Sequence, residues 1–243
     1  MLPKLDVPIF ELKLVSTGKN IRFRPFLVKE QKLLLMATQS EDEKDMVRVI
    51  RQIVKNCVID ELNVDTLPAF DLEYLFLNLR ARSVNEVVEL RYRCNNTIKD
   101  ENGEDKTCNN LEKFEVNILD VAPIVLPEHT KKIMFNDKLG IVMKYPTFEM
   151  LYELVDKTEE EIMFEILPNC VDNIFDEDSV YYAKDTPKEE LLEFLDNLQQ
   201  KDMEKIQKFF RTIPRLRKEV DFHCRKCGYE EKINVEGLQS FFV

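Results

Sequence analysis

The chain has 243 residues, of which 44% are hydrophobic and 33% charged, and carries a formal net charge of -11. Those figures describe a soluble globular protein that can bury a sizeable core in one large domain or two modest ones, and they exclude a disordered chain. The acidic balance argues against general nucleic-acid binding, which needs a basic face to neutralise phosphate, and no apolar run approaches the roughly 18 residues of a membrane span.

From Pro8 to Phe26, apolar and polar residues alternate on either side of Ser16-Thr17-Gly18-Lys19-Asn20, which predicts a hairpin. Thr17-Gly18-Lys19 lacks the first glycine and the following helix of a phosphate loop, so it is read as the turn. Beyond Pro25 the period becomes helical. One helix is expected over Phe26 to Ser40 and a second, capped by Ser40 or Asp42, to about Val58. In that second helix Met46, Ile50, Ile53 and Cys57 share a face, so Cys57 reads as a small core residue. A third helix starting near Asp71 puts Leu72, Leu75, Phe76 and Leu79 on one stripe.

Val87 to Ile118 alternates into Cys94, crosses a polar insert containing Asn102-Gly103, and alternates out of Cys108. Val121 to Pro127 reads as a proline-flanked linker, and Lys131 to Tyr145 as two short strands around Asn136 to Leu139. Thr147 and Thr158 are expected helix caps, the latter in a capping box with Glu161. Pro168 should end that helix, and Cys170 just beyond it reads as packing. The acidic loop Asp172, Asp176, Glu177 and Asp178 lacks the glycine and terminal glutamate of a calcium-binding hand. Thr186-Pro187-Lys188-Glu189 predicts a helix start with threonine as cap and proline at the first helical position. Two helices then bury Leu191, Phe194, Leu195 and Leu198, and Met203, Ile206, Phe210 and Ile213. Such apolar faces suit a core, and they also suit self-association. A second cysteine hairpin over Glu219 to Val235 precedes a terminal Leu-x-x-Phe-Phe-Val, read as a last helix docked on the core in preference to an exposed apolar anchor for a partner.

Cys224 and Cys227 have knuckle spacing, in which amides of a tight turn face two thiolates on one tetrahedral metal, and Gly228 follows where a left-handed backbone is needed. Cys94 and Cys108 can meet at the base of an extended hairpin tip. The start MLPKLDVPIF has neither a basic region nor a long apolar run, so a reducing compartment is expected and metal is favoured over disulfides. The expected site is therefore one structural Zn2+ held by Cys94, Cys108, Cys224 and Cys227; four thiolates leave no open catalytic position. His223 abuts Cys224 and could support the site or replace a ligand, while His129 falls in the proline-rich linker.

The expected fold is α+β, mainly helical, with short β-hairpins and a four-cysteine zinc ribbon assembled from two distant hairpins. Its parts would be an N-terminal hairpin with helices over 1–86, a split ribbon over 87–122 and 218–236, an inserted hairpin and helical region over 123–217, and a tail over 237–243. No serine, histidine and aspartate constellation stands out, and with 46 acidic residues, paired carboxylates discriminate nothing.

Four stretches, RPFLVKEQKLLLMA (Arg24 to Ala37), ELLEFLDNLQQKDMEKIQKFFRTIPRL (Glu190 to Leu216), CRKCG (Cys224 to Gly228) and EGLQSFF (Glu236 to Phe242), together resemble the T4-type tailed-phage baseplate hub assembly proteins. The similarity runs nearly end to end, and the order of the stretches is more specific than any one of them. It implies a non-enzymatic role in tail morphogenesis, promoting assembly of the central hub or joining it through contacts with other baseplate hub and tail proteins. It also implies residence in the host cytoplasm during assembly and, if retained, in the virion baseplate. Of the residues, the resemblance carries over only the knuckle Cys224 and Cys227. The competing reading is a zinc-ribbon nucleic-acid-binding accessory factor, and a metal-dependent hydrolase comes third.

Overall fold

Alternation around the first turn gives strands β1 (Phe10–Lys13) and β2 (Asn20–Phe23), paired antiparallel with Phe10 opposite Phe23. The turn closes through Gly18, whose amide donates to the Leu14 carbonyl at 2.9 Å with φ at 69°, a backbone that glycine adopts without steric cost. The computed structural model describes residues 6–40, 43–152 and 157–241. Asp42, one of the two expected caps of the second helix, lies outside them, as do Phe242 and Val243 of the terminal motif.

Helices α1 (Val28–Thr38), α2 (Glu43–Cys57) and α3 (Ala69–Ser83) pack on this hairpin. The predicted stripes are the buried ones: Ile50, Ile53 and Cys57 on α2, and Leu72, Leu75, Phe76 and Leu79 on α3, all join the main core. Two buried acids tie the layers together. Glu30 takes the Leu27 amide at 2.8 Å and Arg24 at 3.1 Å. Asp71 accepts from the amides of Val15 and Ser16 at the hairpin turn, and from the Ser16 hydroxyl. Burial opposes ionisation of Glu30, but Arg24 and the Leu27 amide outweigh it and hold its carboxyl below the usual range.

The first cysteine hairpin is β3 (Val87–Arg93) with β6 (Leu111–Asn117), and its tip is a second small ladder, β4 (Thr97–Lys99) with β5 (Asp105–Thr107). The stretch read as a linker contains strand β7 (Ala122–Ile124), paired with β12 (Arg215–His223), which pairs in turn with β13 (Glu230–Glu236). Proline hid it: Pro123 sits on an edge strand, where a missing N–H is tolerated.

Between these lie β8 (Lys132–Met134), β9 (Gly140–Met143), α4 (Phe148–Tyr152), α5 (Glu159–Ile166), β10 (Val171–Phe175), β11 (Val180–Tyr182), α6 (Lys188–Asp196) and α7 (Gln200–Thr212). Strands β11-β10-β9-β8 form one antiparallel sheet. Of the expected acidic loop, Asp176, Glu177 and Asp178 form the turn of its β10–β11 hairpin, while Asp172 lies in β10. There Asp176 accepts from the amides of Asp178 and Ser179 at 2.9 and 2.8 Å, bonds that keep its carboxyl below the usual range. Thr158 forms its capping box with Glu161, and Thr147 accepts from the Met150 amide at 3.4 Å. Thr186 does not cap α6. Pro187 is the cap residue, and the Thr186 hydroxyl donates back to the Tyr182 carbonyl at 3.0 Å.

The expectation of a mainly helical fold with a zinc ribbon is overturned. Helix accounts for 37% and strand for 29%, with 13 strands in 5 small sheets among the described residues. The two cysteine hairpins belong to separate sheets, β3-β6 and β13-β12-β7, so no single ribbon sheet joins them. Hydrophobic burial divides likewise. One cluster centres on α2 and α3 and includes Leu216, Val235 and Leu238. A second includes Ile141, Val171, Leu195 and Ile206. A third surrounds the cysteines.

A four-cysteine cluster between the two hairpins

Each cysteine is placed by its own hairpin's main chain. Cys94 donates its amide to the Asn110 carbonyl at 2.8 Å and accepts the Asn109 amide at 3.0 Å, while Cys108 donates to Asn96 at 2.8 Å, so the two residues face each other where the long tip begins. Asn109 takes φ of 52°, which asparagine tolerates better than most residues. In the second hairpin the Cys224 amide donates to the Tyr229 carbonyl and the Gly228 amide to the Cys224 carbonyl, both at 2.8 Å, with Gly228 at φ 71°.

The four sulfur atoms of Cys94, Cys108, Cys224 and Cys227 lie within 4.8 Å of one another. Across the hairpins, Cys94 Sγ is 3.7 Å from Cys227 Sγ, and Cys108 Sγ is 3.8 Å from Cys224 Sγ. Tetrahedral thiolates at about 2.3 Å from a zinc ion are separated by about 3.8 Å. The donor set and its spacing thus fit such an ion. Cys94, Cys108 and Cys224 are buried and Cys227 is half-buried.

Asn96 and Asn110 were missed in the sequence. Their amides donate to the sulfurs of Cys94 and Cys108 respectively. Their side chains reach across, Asn96 Nδ2 to Cys227 Sγ at 3.6 Å and Asn110 Nδ2 to Cys224 Sγ at 3.7 Å. The signal for them was present as a repeated Cys-Asn-Asn, at 94–96 and again at 108–110. Glu112 fastens the two halves. Its Oε1 accepts from the Arg225 amide at 2.8 Å and from Asn110 Nδ2 at 2.7 Å, while Lys226 Nζ donates to the Cys108 carbonyl at 3.4 Å.

Burial pushes the Cys94 thiol up to about 12 and raises that of Cys108. Burial opposes ionisation of Cys224 as well, but the amides of Cys227 and Lys226 and the neighbouring thiols outweigh it and bring it down to about 6. One thiolate stabilised among protonated neighbours suits a cation, since each thiol must lose its proton to water before its sulfur binds a metal. The two remaining cysteines behave as core: burial pushes Cys57 up to about 11 and Cys170 up to about 12.

Neither histidine joins the cluster. His223 is exposed, with Nδ1 at 3.0 Å from Glu230 Oε1. His129 stacks on Phe209 and Tyr145, with Nδ1 at 2.8 Å from Thr212 Oγ1 and Nε2 at 3.0 Å from the Tyr145 hydroxyl. The Thr212 hydroxyl donates to the Lys208 carbonyl, so His129 Nδ1 is the protonated nitrogen and Nε2 accepts from tyrosine. Away from the cysteines, a cavity of about 520 Å³ opens between α3, α5 and α7, lined by Phe70, Ile166 and Phe210 and edged by Glu73, Arg211 and Arg215. Burial pushes the Glu73 carboxyl up to about 7 against the pull of Arg215.

Among the described residues, no helix is long and apolar enough to cross a membrane. Comparison with curated proteins and with solved structures finds no match. The family described as T4 bacteriophage base plate protein matches residues 7–243, a span that takes in both cysteine hairpins and everything between them. The chain therefore belongs to the T4 bacteriophage base plate protein family, with a baseplate structural or assembly role and other phage baseplate proteins as its partners.

Proposed function

We propose that the protein is a non-enzymatic tail morphogenesis factor that promotes assembly of the baseplate central hub, or forms part of it, through protein–protein contacts. In this reading a structural zinc ion is held by Cys94, Cys108, Cys224 and Cys227. The observation that carries the reading is the family match along residues 7–243 in a chain whose most concentrated chemistry is four converging thiols. Sulfur donors in tetrahedral spacing select a soft or borderline ion, and four of them complete its shell, leaving no place for water or substrate. The ion would clamp the start and end of the segment between the hairpins. Its binding energy becomes folding energy, and function resides on the surfaces so fixed.

The test is co-purification of the protein with the other tail gene products, followed by analysis of finished particles. Association with hub proteins is expected, and its presence in or absence from particles separates a permanent component from a transient chaperone acting in the host cytoplasm. Normal baseplates formed without the protein, with no association, would overturn the proposal.

A further inference from the structure

The sheet β11-β10-β9-β8 has two edges, and they are finished differently. On the β8 side, Lys205 Nζ donates to the carbonyls of Met134 and Phe135 at 2.9 and 3.2 Å, and Lys132 lies over the Phe175 ring. Edge lysines and occupied carbonyls keep an edge from pairing. On the β11 side Lys184 lies just past the strand, 5.6 Å from the Tyr182 ring centre, but no lysine caps the strand's outward carbonyls; the strand itself contains neither proline nor lysine, and Val180, Tyr181 and Tyr182 are 53%, 51% and 49% exposed.

Register decides which main-chain groups are open. The Asp176 amide donates to the Ser179 carbonyl and the Ala183 amide to the Asp172 carbonyl, with Tyr181 opposite Ile174. Bonded and non-bonded pairs alternate along an antiparallel ladder, so Ser179, Tyr181 and Ala183 point their main-chain groups at β10, while Val180 and Tyr182 point theirs outward. Val180 offers an N–H and a C=O, and Tyr182 an N–H. The Tyr182 carbonyl is already taken by the Asp185 amide at 2.9 Å and the Thr186 hydroxyl at 3.0 Å.

We propose that the β11 edge docks an extended segment of a partner protein, apolar at alternate positions and basic at one end, which adds a further strand to this sheet. Three open main-chain groups supply the ladder, and half-exposed apolar side chains on both faces grip alternate residues of the incoming strand. Asp178 is exposed at one end of the strand beside Glu177, which Lys138 occupies at 2.7 Å, whereas Asp185 at the other end stands next to Lys184, so a basic terminus finds a free carboxylate at the Asp178 end. A second copy is disfavoured. In the two-fold registers centred on Tyr181 or Tyr182 an N–H would meet the other copy's Tyr182 carbonyl, whose two lone pairs are filled, and the register centred on Val180, which leaves its pair open, would still oppose two chains of net charge -11. The inference deepens the assembly reading by giving the partner's chemistry, but its test uses no other baseplate protein, so either can fail alone.

The test measures fluorescence anisotropy of a labelled peptide of alternating valine and threonine ending in two lysines, titrated with the full chain. Saturable binding that weakens with salt is expected. Val180→Pro deletes one outward N–H without touching the β10 ladder and should weaken binding about tenfold. On the wild-type protein, N-methylating alternate peptide residues should abolish binding in one phase and spare it in the other. No binding of the parent peptide, equal binding of both methylated phases, undiminished binding to V180P, or equal binding of a peptide ending in two glutamates would each overturn the proposal. So would a wild-type dimer in sedimentation velocity that V180P dissolves, which would assign the edge to a second copy.

Discussion

Replacing Cys94 with serine removes one of four sulfurs that already stand at metal-ligand spacing, 3.7 Å from Cys227 Sγ across the hairpins. Structural zinc sites of this class contribute about 10–16 kcal/mol, so losing one ligand of four costs about a quarter of that, roughly two orders of magnitude in affinity. Beside the cysteines themselves, apolar packing between the hairpins is modest. Phe222 and Ile233 are the buried apolar side chains beside the cysteines, with Tyr92 edge-on to Phe222 at 4.8 Å. Two such side chains contribute about 3–6 kcal/mol. The ion should therefore dominate this junction, while the cores around α3 and around β9 persist without it. The assay is elemental analysis of the wild type, Cys94→Ser and Cys227→Ser, paired with amide exchange with and without a chelator. Near one zinc per wild-type chain is expected, lost from both variants at about a hundredfold lower chelator concentration than from the wild type, with chelation accelerating exchange at Cys94, Cys108, Cys224 and Gly228 but not in α3. Zinc near zero in freshly purified wild type, or full retention in both variants, would refute the shared site.

Asn110→Ala removes the donor to Cys224 Sγ and one partner of Glu112, and should weaken metal affinity about 10–100-fold with the four cysteines intact, read by chelator competition. Arg24→Met strips the buried Glu30 of its main partner and should cost about 3–5 kcal/mol by denaturant melts, with Glu30→Gln in the same chain recovering part of it. Gly140→Ala would place a Cβ 2.4 Å from the Phe175 ring and 2.7 Å from the Ile133 carbonyl; a loss of about 1–3 kcal/mol is expected, and Phe175→Leu should relieve only the first clash. Glu73 has its pKa raised from 4.5 to about 7, so the folded state binds the extra proton. Its favourable contribution is full below pH 4.5, declines between 4.5 and 7, and is gone above; Glu73→Gln should flatten that part of the stability profile and stabilise the protein at pH 8.

Local signals in the chain carried far where one segment contains its own reason. The α2 and α3 stripes, the Thr158 capping box and the turn glycines Gly18 and Gly228 need only their neighbours, and all are found as read. Helix content was overestimated because short strands have too few residues to show a period. Strand β7 carries a proline, and β10–β11 is masked by a turn whose acids cap amides. Thr186 resembles a helix cap but takes a partner four residues back, a choice made by the end of β11.

The sequence alone picked out the four cysteines that converge, the Cys224 and Cys227 turn, and the resemblance that the match over residues 7–243 bears out. Each of these is local or a matter of order along the chain. Only the tertiary structure decided that sulfurs 133 and 116 residues apart come within 3.7 and 3.8 Å, that Asn96 and Asn110 donate across the junction, and that the hairpins keep separate sheets. It also decided that one sheet edge is capped by Lys205 and the other left open, because α7 packs on the first and nothing among the described residues pairs with the second. Such facts depend on which elements meet, and pairwise meeting across long loops is set by the packing of the whole chain.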